Sequence, residues 1–114
     1  MTISPELTMA QFLYVLQVTR PAMLTDGPTE AEITAVGEHF AYLQKLEAEG
    51  TLIMAGRTQT THPETLGLAI FNADSMEDAL SIKNADPVIV KGVMTATVYP
   101  FSVALIEQKN VQAS

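Results

Sequence analysis

The chain has 114 residues, a formal net charge of −7 and no cysteine, and 47% of its residues are hydrophobic. Its size and even composition predict a single domain over residues 1–114, with a core at about 11–101 and a polar C-terminal tail at 106–114. Six scattered lysines and arginines argue against a nucleic-acid or anionic-membrane partner. Without cysteine, the chain has no disulfide, thiolate nucleophile or cysteine-based metal site.

The first residues do not resemble a targeting segment. Residues 1–7 lack a basic region followed by an apolar run, so we expect no signal peptide. No stretch approaches the roughly 20 apolar residues that span a membrane. The sequence therefore predicts a cytoplasmic protein without a membrane partner.

The first predicted elements are a strand, a loop and a long helix. Residues 11–19 are a nearly continuous apolar run of β-forming residues, which predicts a strand buried on both faces. Residues 20–28 contain two prolines and are predicted to form a loop. The helix begins at Thr29, because Thr29 and Glu32 have the spacing of a capping box. It ends at Gly50, where a left-handed residue is needed.

This helix carries an apolar stripe that includes a histidine. The stripe recurs at intervals of three and four residues, at Ile33, Val36, Phe40, Leu43 and Leu46. At about 100° per residue, His39 shares the arc of Val36 and Leu43. An imidazole that faces the interior needs a hydrogen-bond partner, or the fold loses about 1–3 kcal/mol. His39 is therefore the leading candidate for a site residue.

Two strands and a turn follow. Residues 51–61 predict a strand whose polar second half is typical of a sheet edge, with Gly56 a candidate β-bulge. Residues 62–65 form the turn, where His62 is expected to face solvent. Residues 66–72 are again continuously apolar and predict a buried strand.

A second, shorter helix precedes the last strand. It begins at Ser75, whose spacing from Asp78 repeats the capping pattern. Its predicted inner face comprises Met76, Ala79, Leu80 and Ile82. It ends at Asp86, because the residue before a proline is disfavoured in a helix. Residues 92–101 predict the final strand.

The element order is βαββαβ, which predicts a ferredoxin-like α+β fold with a four-stranded antiparallel sheet. The first and third strands should be central, because they are the continuously apolar ones. Right-handed crossovers place both helices on one face of the sheet. The other face is also apolar, so we expect a homodimer in which two sheets pack together as an α+β barrel. The alternative is that the chain's own termini cover that face.

The fold suggests where chemistry resides. Packing of the two helices would bring Asp86 to His39, and a carboxylate beside an imidazole makes a general acid/base. The plainer interpretation makes His39 a core histidine bonded to a backbone carbonyl and Asp86 a turn cap. Arg57 and Arg20 are candidates to bind the carboxylate of an anionic small molecule. Surface ion pairs are the plainer role for both arginines.

Several motifs are missing from the sequence. It has no glycine-rich phosphate loop, no His-Glu-x-x-His pair and no Gly-x-Ser-x-Gly elbow. Two histidines far apart are a poor set of metal ligands. We therefore expect neither a metal nor a cofactor.

Five short motifs together resemble the YciI-like, or YCII-related, domain family over residues 11–101. They are His39-x-x-Tyr42-Leu43-x-x-Leu46-x-x-x-Gly50, Leu52-Ile53-Met54-Ala55-Gly56, Ser75-Met-Glu-Asp-Ala79, Ala85-Asp86-Pro87-x-x-x-x-Gly92-Val93 and Tyr99-Pro100-Phe101. The resemblance implies a dimeric ferredoxin-like α+β barrel and an active site of one His and one Asp. Here these residues are His39 and Asp86.

The resemblance also implies a reaction class. The family includes a dehalogenase that acts on a chlorinated muconolactone, and muconolactone isomerases share the barrel architecture. By analogy, we expect a cofactor-free lyase or isomerase that abstracts a proton beside a carbonyl. The alternatives are a non-catalytic metabolite-binding or interaction module and a cofactor-free monooxygenase. This chain departs from the family pattern in two places that affect the shape of the pocket. Many relatives have Gly-Pro where this chain has Gly56-Arg57, and its loop at 20–28 is long.

Overall fold

The computed structural model describes residues 10–60 and 64–111 of the chain. Its helices and strands are β1 (Ala10–Val18), α1 (Ala22–Thr25), α2 (Glu30–Ala48), β2 (Leu52–Arg57), β3 (Gly67–Ala73), α3 (Met76–Asn84), α4 (Pro87–Val90) and β4 (Met94–Phe101), followed by a 3₁₀ turn at Gln108–Asn110. The prediction for His62 lies outside the described residues. None of the described helices is both long and apolar enough to cross a membrane.

The four strands form one antiparallel sheet in the order β2-β3-β1-β4. The continuously apolar strands β1 and β3 are central, and the mixed strands β2 and β4 are the edges. This order confirms the predicted ferredoxin-like α+β fold. The register places Tyr14 at the centre of the sheet, opposite Ala69 of β3 and Val98 of β4.

The alternation of side chains along β1 determines where the core lies. Phe12, Tyr14 and Leu16 are at most 5% exposed, whereas Leu13 and Val15 are only partly buried. The prediction that this strand is buried on both faces is therefore wrong for a single chain. The core packs the buried side chains of β1 against Ala35, Leu43, Leu46, Ala69, Phe71, Ala73, Ala79 and Val88.

The other side of the sheet, which we call the open face, is apolar as well. Residues opposite each other in adjacent strands share a face, and the register therefore groups Leu13, Val15, Met54, Leu68, Ile70, Tyr99 and Phe101. Tyr99 is 47% exposed and Met54 is 46% exposed. The described C-terminal segment provides little cover, because Leu105 and Ile106 are themselves exposed.

The ends of α2 follow the sequence, but its buried arc is displaced. The Thr29–Glu32 capping box is formed, and Gly50 adopts a φ of +80°. The predicted stripe is wrong at Ile33 and Phe40, which are exposed. The buried arc instead runs through Glu32, Ala35, Leu43 and Leu46. Glu32 lies in the buried arc where Ile33 was expected, because an ion pair with Arg20 satisfies the Glu32 carboxylate.

Four further features differ from those predicted. The loop at 20–28 contains the single helical turn α1, and β2 ends at Arg57 because residues 58–60 leave the strand conformation. The register irregularity in β2 falls between Leu52 and Met54, so the predicted bulge at Gly56 is wrong. On α3 the predicted inner residues Met76 and Leu80 are largely exposed, since the short helix buries only Ala79.

Candidate active site

Asp86 occupies a turn that its own sequence creates. α3 ends at Asn84, and Asp86 adopts an extended conformation with φ −65° and ψ 128° before Pro87, the first residue of α4. Oδ1 of Asp86 accepts a hydrogen bond of 3.1 Å from the Val88 backbone N–H. Asp86 therefore caps α4 as well as ending the preceding segment. The carboxylate is fully buried at 0% exposure.

The structure brings His39 and Asp86 together. Nδ1 of His39 lies 2.8 Å from Oδ1 and 2.7 Å from Oδ2 of Asp86, although the residues are 47 positions apart. The His39 side chain is 14% exposed. The partner of His39 is thus a carboxylate, and the plainer interpretation, which gave it a backbone carbonyl, is wrong. Asp86 contacts the imidazole and also caps a helix, so its two expected roles occur together.

This contact fixes the tautomer of the neutral imidazole. A carboxylate only accepts hydrogen bonds, so the proton of neutral His39 resides on Nδ1. Nε2 then carries the lone pair, and no hydrogen bond to it occurs within residues 10–60 and 64–111. The ring therefore has one nitrogen held by the protein and one nitrogen available to a ligand.

Tyr14 completes the group and was not singled out in the sequence. Its hydroxyl donates to Oδ2 of Asp86 at 2.8 Å, and its side chain is 0% exposed. Burial raises the pKa of Tyr14, and the Asp86 charge and hydrogen bond raise this pKa further. The phenol therefore remains a donor. The missed signal is a tyrosine inside an otherwise apolar buried strand, because a buried hydroxyl requires a partner.

A cavity of about 450 Å³ opens beside His39. It lies at the end of the sheet where β1 finishes and β3 begins, between α2 on one side and α1 on the other. Its walls are mainly apolar and include Leu16, Val18, Met23, Leu24, Phe40, Leu43, Leu66 and Met94. The volume falls in the range of about 300–1,000 Å³ that is usual for small-molecule sites.

Among the described residues, only three polar side chains line this cavity: those of His39, Arg57 and Thr65. The Thr65 hydroxyl donates to the Thr60 carbonyl at 2.7 Å, so it is already engaged. The Arg57 backbone is paired with Gly67 in the sheet, but its side chain makes no hydrogen bond or ion pair with any residue that the structure describes. The lining therefore combines one histidine and one arginine with mainly apolar side chains.

Arg20, the other predicted substrate-binding residue, lies elsewhere. It does not line the cavity and instead forms an ion pair with Glu32. The plainer expectation therefore describes Arg20, whereas Arg57 is the arginine at the cavity. The hydrogen bond from Arg20 to Glu32, together with the bond from the Thr29 backbone, lowers the pKa of Glu32 to about 2.

The arrangement suits proton transfer to or from a bound small molecule. A buried carboxylate orients the imidazole, the cavity walls are mainly apolar, and an arginine is present for an anionic group. Within the described part of the chain, no three His, Cys, Asp or Glu side chains are grouped closely enough to hold a metal ion. The fold and this site define a ferredoxin-like α+β domain with an imidazole–carboxylate pair at an apolar cavity.

Comparison with known sequences identifies the family. The profile of the YCII-related domain matches residues 12–102. An uncharacterized protein of Bacillus subtilis, YjpA, is 35% identical over 76 residues, which are 67% of this chain and 86% of that protein. The chain therefore belongs to the YCII-related domain family.

One solved structure shares the fold, and a second is a weaker match. The 5-chloro-2-hydroxyhydroquinone dehydrochlorinase TftG from Burkholderia phenoliruptrix, in complex with 2,5-dihydroxybenzoquinone, matches with a TM-score of 0.58 and 22% identity, over 80% of this chain and 93% of that chain. SnoaB, a cofactor-independent oxygenase from Streptomyces nogalater, matches with a TM-score of 0.43 and 10% identity, over 88% and 97% of the two chains. The likeness to TftG shows a common fold.

Proposed function

We propose that this protein is a cofactor-free lyase or isomerase that transfers a proton at a carbon beside a carbonyl group of a small anionic substrate. The functional analogues in this proposal are muconolactone isomerases and dehydrochlorinases. The observation that carries the proposal is the position of His39, which lines an apolar cavity while Asp86 holds its Nδ1.

Each site residue has a defined role in the proposed reaction. Nε2 of His39 takes the proton from carbon, and the electron pair left behind forms an enolate. Asp86 keeps the proton of neutral His39 on Nδ1 and stabilises the imidazolium that forms. Arg57 binds the anionic group of the substrate. The enolate then expels a leaving group from the neighbouring carbon or is reprotonated at another carbon, which gives elimination or isomerisation.

Substrate size and polarity follow from the cavity. About 450 Å³ accommodates a ring with a few substituents. Apolar walls favour a flat hydrocarbon framework, and the single arginine favours one negative group. The compound in the name of TftG is a flat chlorinated ring of this size, although its polar groups are phenolic hydroxyls. Chlorinated hydroquinones and lactones are therefore the first substrates to test.

Chloride release provides the test. Wild-type protein and His39→Gln are incubated with 5-chloro-2-hydroxyhydroquinone, the compound in the name of TftG, and with a chlorinated muconolactone. We expect wild-type protein to release chloride and His39→Gln to be slower by about 10²–10⁴-fold, with unchanged circular dichroism. Turnover that persists in His39→Gln would contradict the proposal.

The same assays discriminate the alternatives. A non-catalytic module would bind 2,5-dihydroxybenzoquinone without releasing chloride from either substrate. A cofactor-free monooxygenase would consume oxygen, which an oxygen electrode detects. Each outcome assigns the cavity a different use.

We also infer that two copies of the chain pack through their open faces. Large exposed apolar patches are rare on monomers and mark interaction surfaces. The open face contains Leu13, Val15 and Tyr99 on its two neighbouring strands β1 and β4. A second open face offers matching apolar chemistry and gives a closed two-fold assembly.

A further inference from the structure

The Asp86 carboxylate has three donors, of which the proposed mechanism uses only His39. The second donor is the Val88 backbone N–H at 3.1 Å. The third is the Tyr14 hydroxyl at 2.8 Å, which approaches from β1 in the sheet. A polar side chain at this buried position of β1 is costly unless it is hydrogen-bonded, so we ask what the contact with Asp86 contributes.

We propose that Tyr14 is a positioning residue for the His39–Asp86 pair, whose hydroxyl fixes the carboxylate and restrains the affinity of the pair for a proton. This inference rests on the proposed function. It extends that function by assigning a role to the buried hydroxyl that contacts Asp86. Tyr14 does not line the cavity and so acts through Asp86.

Geometry supports the positioning role. Oδ2 receives Tyr14, Oδ1 receives Val88, and His39 lies within 2.8 Å of both oxygens. Donors on two sides fix the plane of the carboxylate, and that plane directs Nδ1 of His39. Tyr14 is itself immobilised, because its ring packs edge-on against Phe71 with centroids 5.5 Å apart.

The electrostatic effect has a definite sign. With neutral His39, the pair carries one negative charge, which the Tyr14 donor stabilises. After the pair gains a proton it is neutral overall, whether the proton resides on the ring or on the carboxylate. Removing the donor therefore destabilises the unprotonated form more and raises the proton affinity of the pair.

Other titratable groups lie on the elements around the pair. They include Tyr42, Glu38, Lys45 and Glu49 on or at the end of α2, Glu77, Asp78 and Lys83 on α3, Lys91 after α4 and Arg57 on β2. The Tyr42 hydroxyl donates to the Ile82 carbonyl, and Lys91 pairs with Glu38. All of these groups remain in Tyr14→Phe, so a change in that variant reports on the Tyr14 hydroxyl.

The test is the ring-proton titration of His39 by NMR. The chain has two histidines, so a His62→Gln background leaves one imidazole signal. In Tyr14→Phe we expect the midpoint of the His39 titration to move to higher pH by about one unit. Tyr42→Phe is the matched control, because it removes a nearby phenol that does not contact Asp86, and its midpoint should change little.

A second measurement does not depend on the folding of Tyr14→Phe. Incorporating 3-fluorotyrosine in a Tyr42→Phe, Tyr99→Phe background modifies only Tyr14, since the chain has three tyrosines. The more acidic phenol is a stronger donor, so the midpoint should move to lower pH. Opposite movements in the two experiments support the proposal. An unchanged midpoint in the fluorinated protein, or equal movements in Tyr14→Phe and Tyr42→Phe, would overturn it.

Failure of this inference and failure of the proposed function are distinguishable. If Tyr14 shifts the titration but His39→Gln retains chloride release, the proposed function fails and the proton-affinity role stands. If His39 is essential and the titration does not change in Tyr14→Phe, the proposed function stands and the role of Tyr14 fails. Where turnover is present, Tyr14→Phe should also move the acid limb of the pH–rate profile to higher pH, which a purely structural defect would not do.

Discussion

Arg20 and Glu32 are joined by two hydrogen bonds, from Nε to Oε2 at 2.9 Å and from Nη2 to Oε1 at 2.6 Å. Nη2 also donates to the Gly27 carbonyl at 3.1 Å. The same Glu32 carboxylate accepts from the Thr29 backbone N–H in the capping box. One ion pair therefore fastens the segment that carries α1 to the first turn of α2 and forms part of the cavity's support.

This ion pair predicts a pH dependence of stability. The pKa of Glu32 is lowered from an ordinary 4.5 to about 2, first by the hydrogen bond from Arg20. A lowered folded-state pKa contributes stability that is present above the ordinary value and is lost as the pH falls through the lowered value. As the pH is lowered from about 5 to about 2, we expect the urea concentration at the unfolding midpoint of wild-type protein to decrease. This decrease should be smaller in Glu32→Gln.

The control for that measurement is the exposed pair of Lys91 and Glu38. Both side chains are about half exposed, so removing this pair should alter the urea midpoint little. Glu38→Gln should therefore retain the pH dependence of wild-type protein. Equal responses of Glu32→Gln and Glu38→Gln would contradict the prediction.

Arg57 and Arg20 should differ in ligand binding. Arg57 lines the cavity without a described partner, whereas Arg20 is committed to Glu32. With benzoate as an anionic aromatic probe, we expect Arg57→Ala to weaken binding by about 10- to 100-fold, the value of a charge-assisted hydrogen bond. Arg20→Ala should leave the affinity nearly unchanged and lower the melting temperature. Titration calorimetry measures the first effect, and a reversal of the two variants would refute the assignment.

Asp86 should matter more for stability than His39 does. Asp86→Ala removes a helix cap and leaves the buried Tyr14 hydroxyl without its acceptor. We expect the free energy of unfolding to fall by about 2–4 kcal/mol. His39→Ala leaves Asp86 with two donors, so the decrease in the free energy of unfolding should be smaller in this variant. Urea denaturation of both variants checks this order, and a larger loss in His39→Ala would show that the imidazole supports the fold.

Two glycines should respond in opposite directions to alanine. Gly50 has a φ of +80°, which an L-residue with a Cβ adopts at a cost of about 1–2 kcal/mol. Gly37 lies inside α2, and no neighbouring side chain lies within 4 Å of the position that a Cβ would take. Gly37→Ala should stabilise the protein by about 0.5–1 kcal/mol, because alanine favours the helix, whereas Gly50→Ala should destabilise it. Thermal melts of the pair provide the measurement.

The inferred dimer can be disrupted at the open face. Tyr99 is 47% exposed there, so Tyr99→Glu places a charge in the proposed interface without removing a buried core residue. We expect this variant to sediment as a monomer and wild-type protein as a dimer. Ile33→Glu is the control, because Ile33 is 57% exposed on α2, away from the open face. Monomeric wild-type protein would refute the inferred assembly.

Much of the fold was predictable because it depends on local patterns. The apolar runs identified β1 and β3 as central, and the spacing of Thr29 from Glu32 placed the start of α2 correctly. Periodicity failed at Ile33 and Phe40 because an apolar side chain on a helix can face solvent when a neighbouring arc packs better. Hydropathy gives Glu32 no reason to be buried, since its burial depends on Arg20.

The site was predictable only in part. The proximity of His39 to Asp86 followed from the expected packing of the elements that carry them. The roles of Tyr14 and of the Arg20–Glu32 pair depend on contacts between residues that are separated in the sequence, which local spacing does not encode. Arg57 and Arg20 were equivalent in the sequence, and the cavity distinguishes them because only Arg57 lines it.

The double duty of Asp86 affects how this acid should be interpreted in related proteins. Its carboxylate begins α4 and orients His39 at the same time. Under the proposed function, a homologue that lost activity would still gain stability from the aspartate, because it caps α4, whereas the histidine would be free to change. Among homologues, we therefore expect the aspartate to accompany the fold and the histidine to accompany the proposed activity.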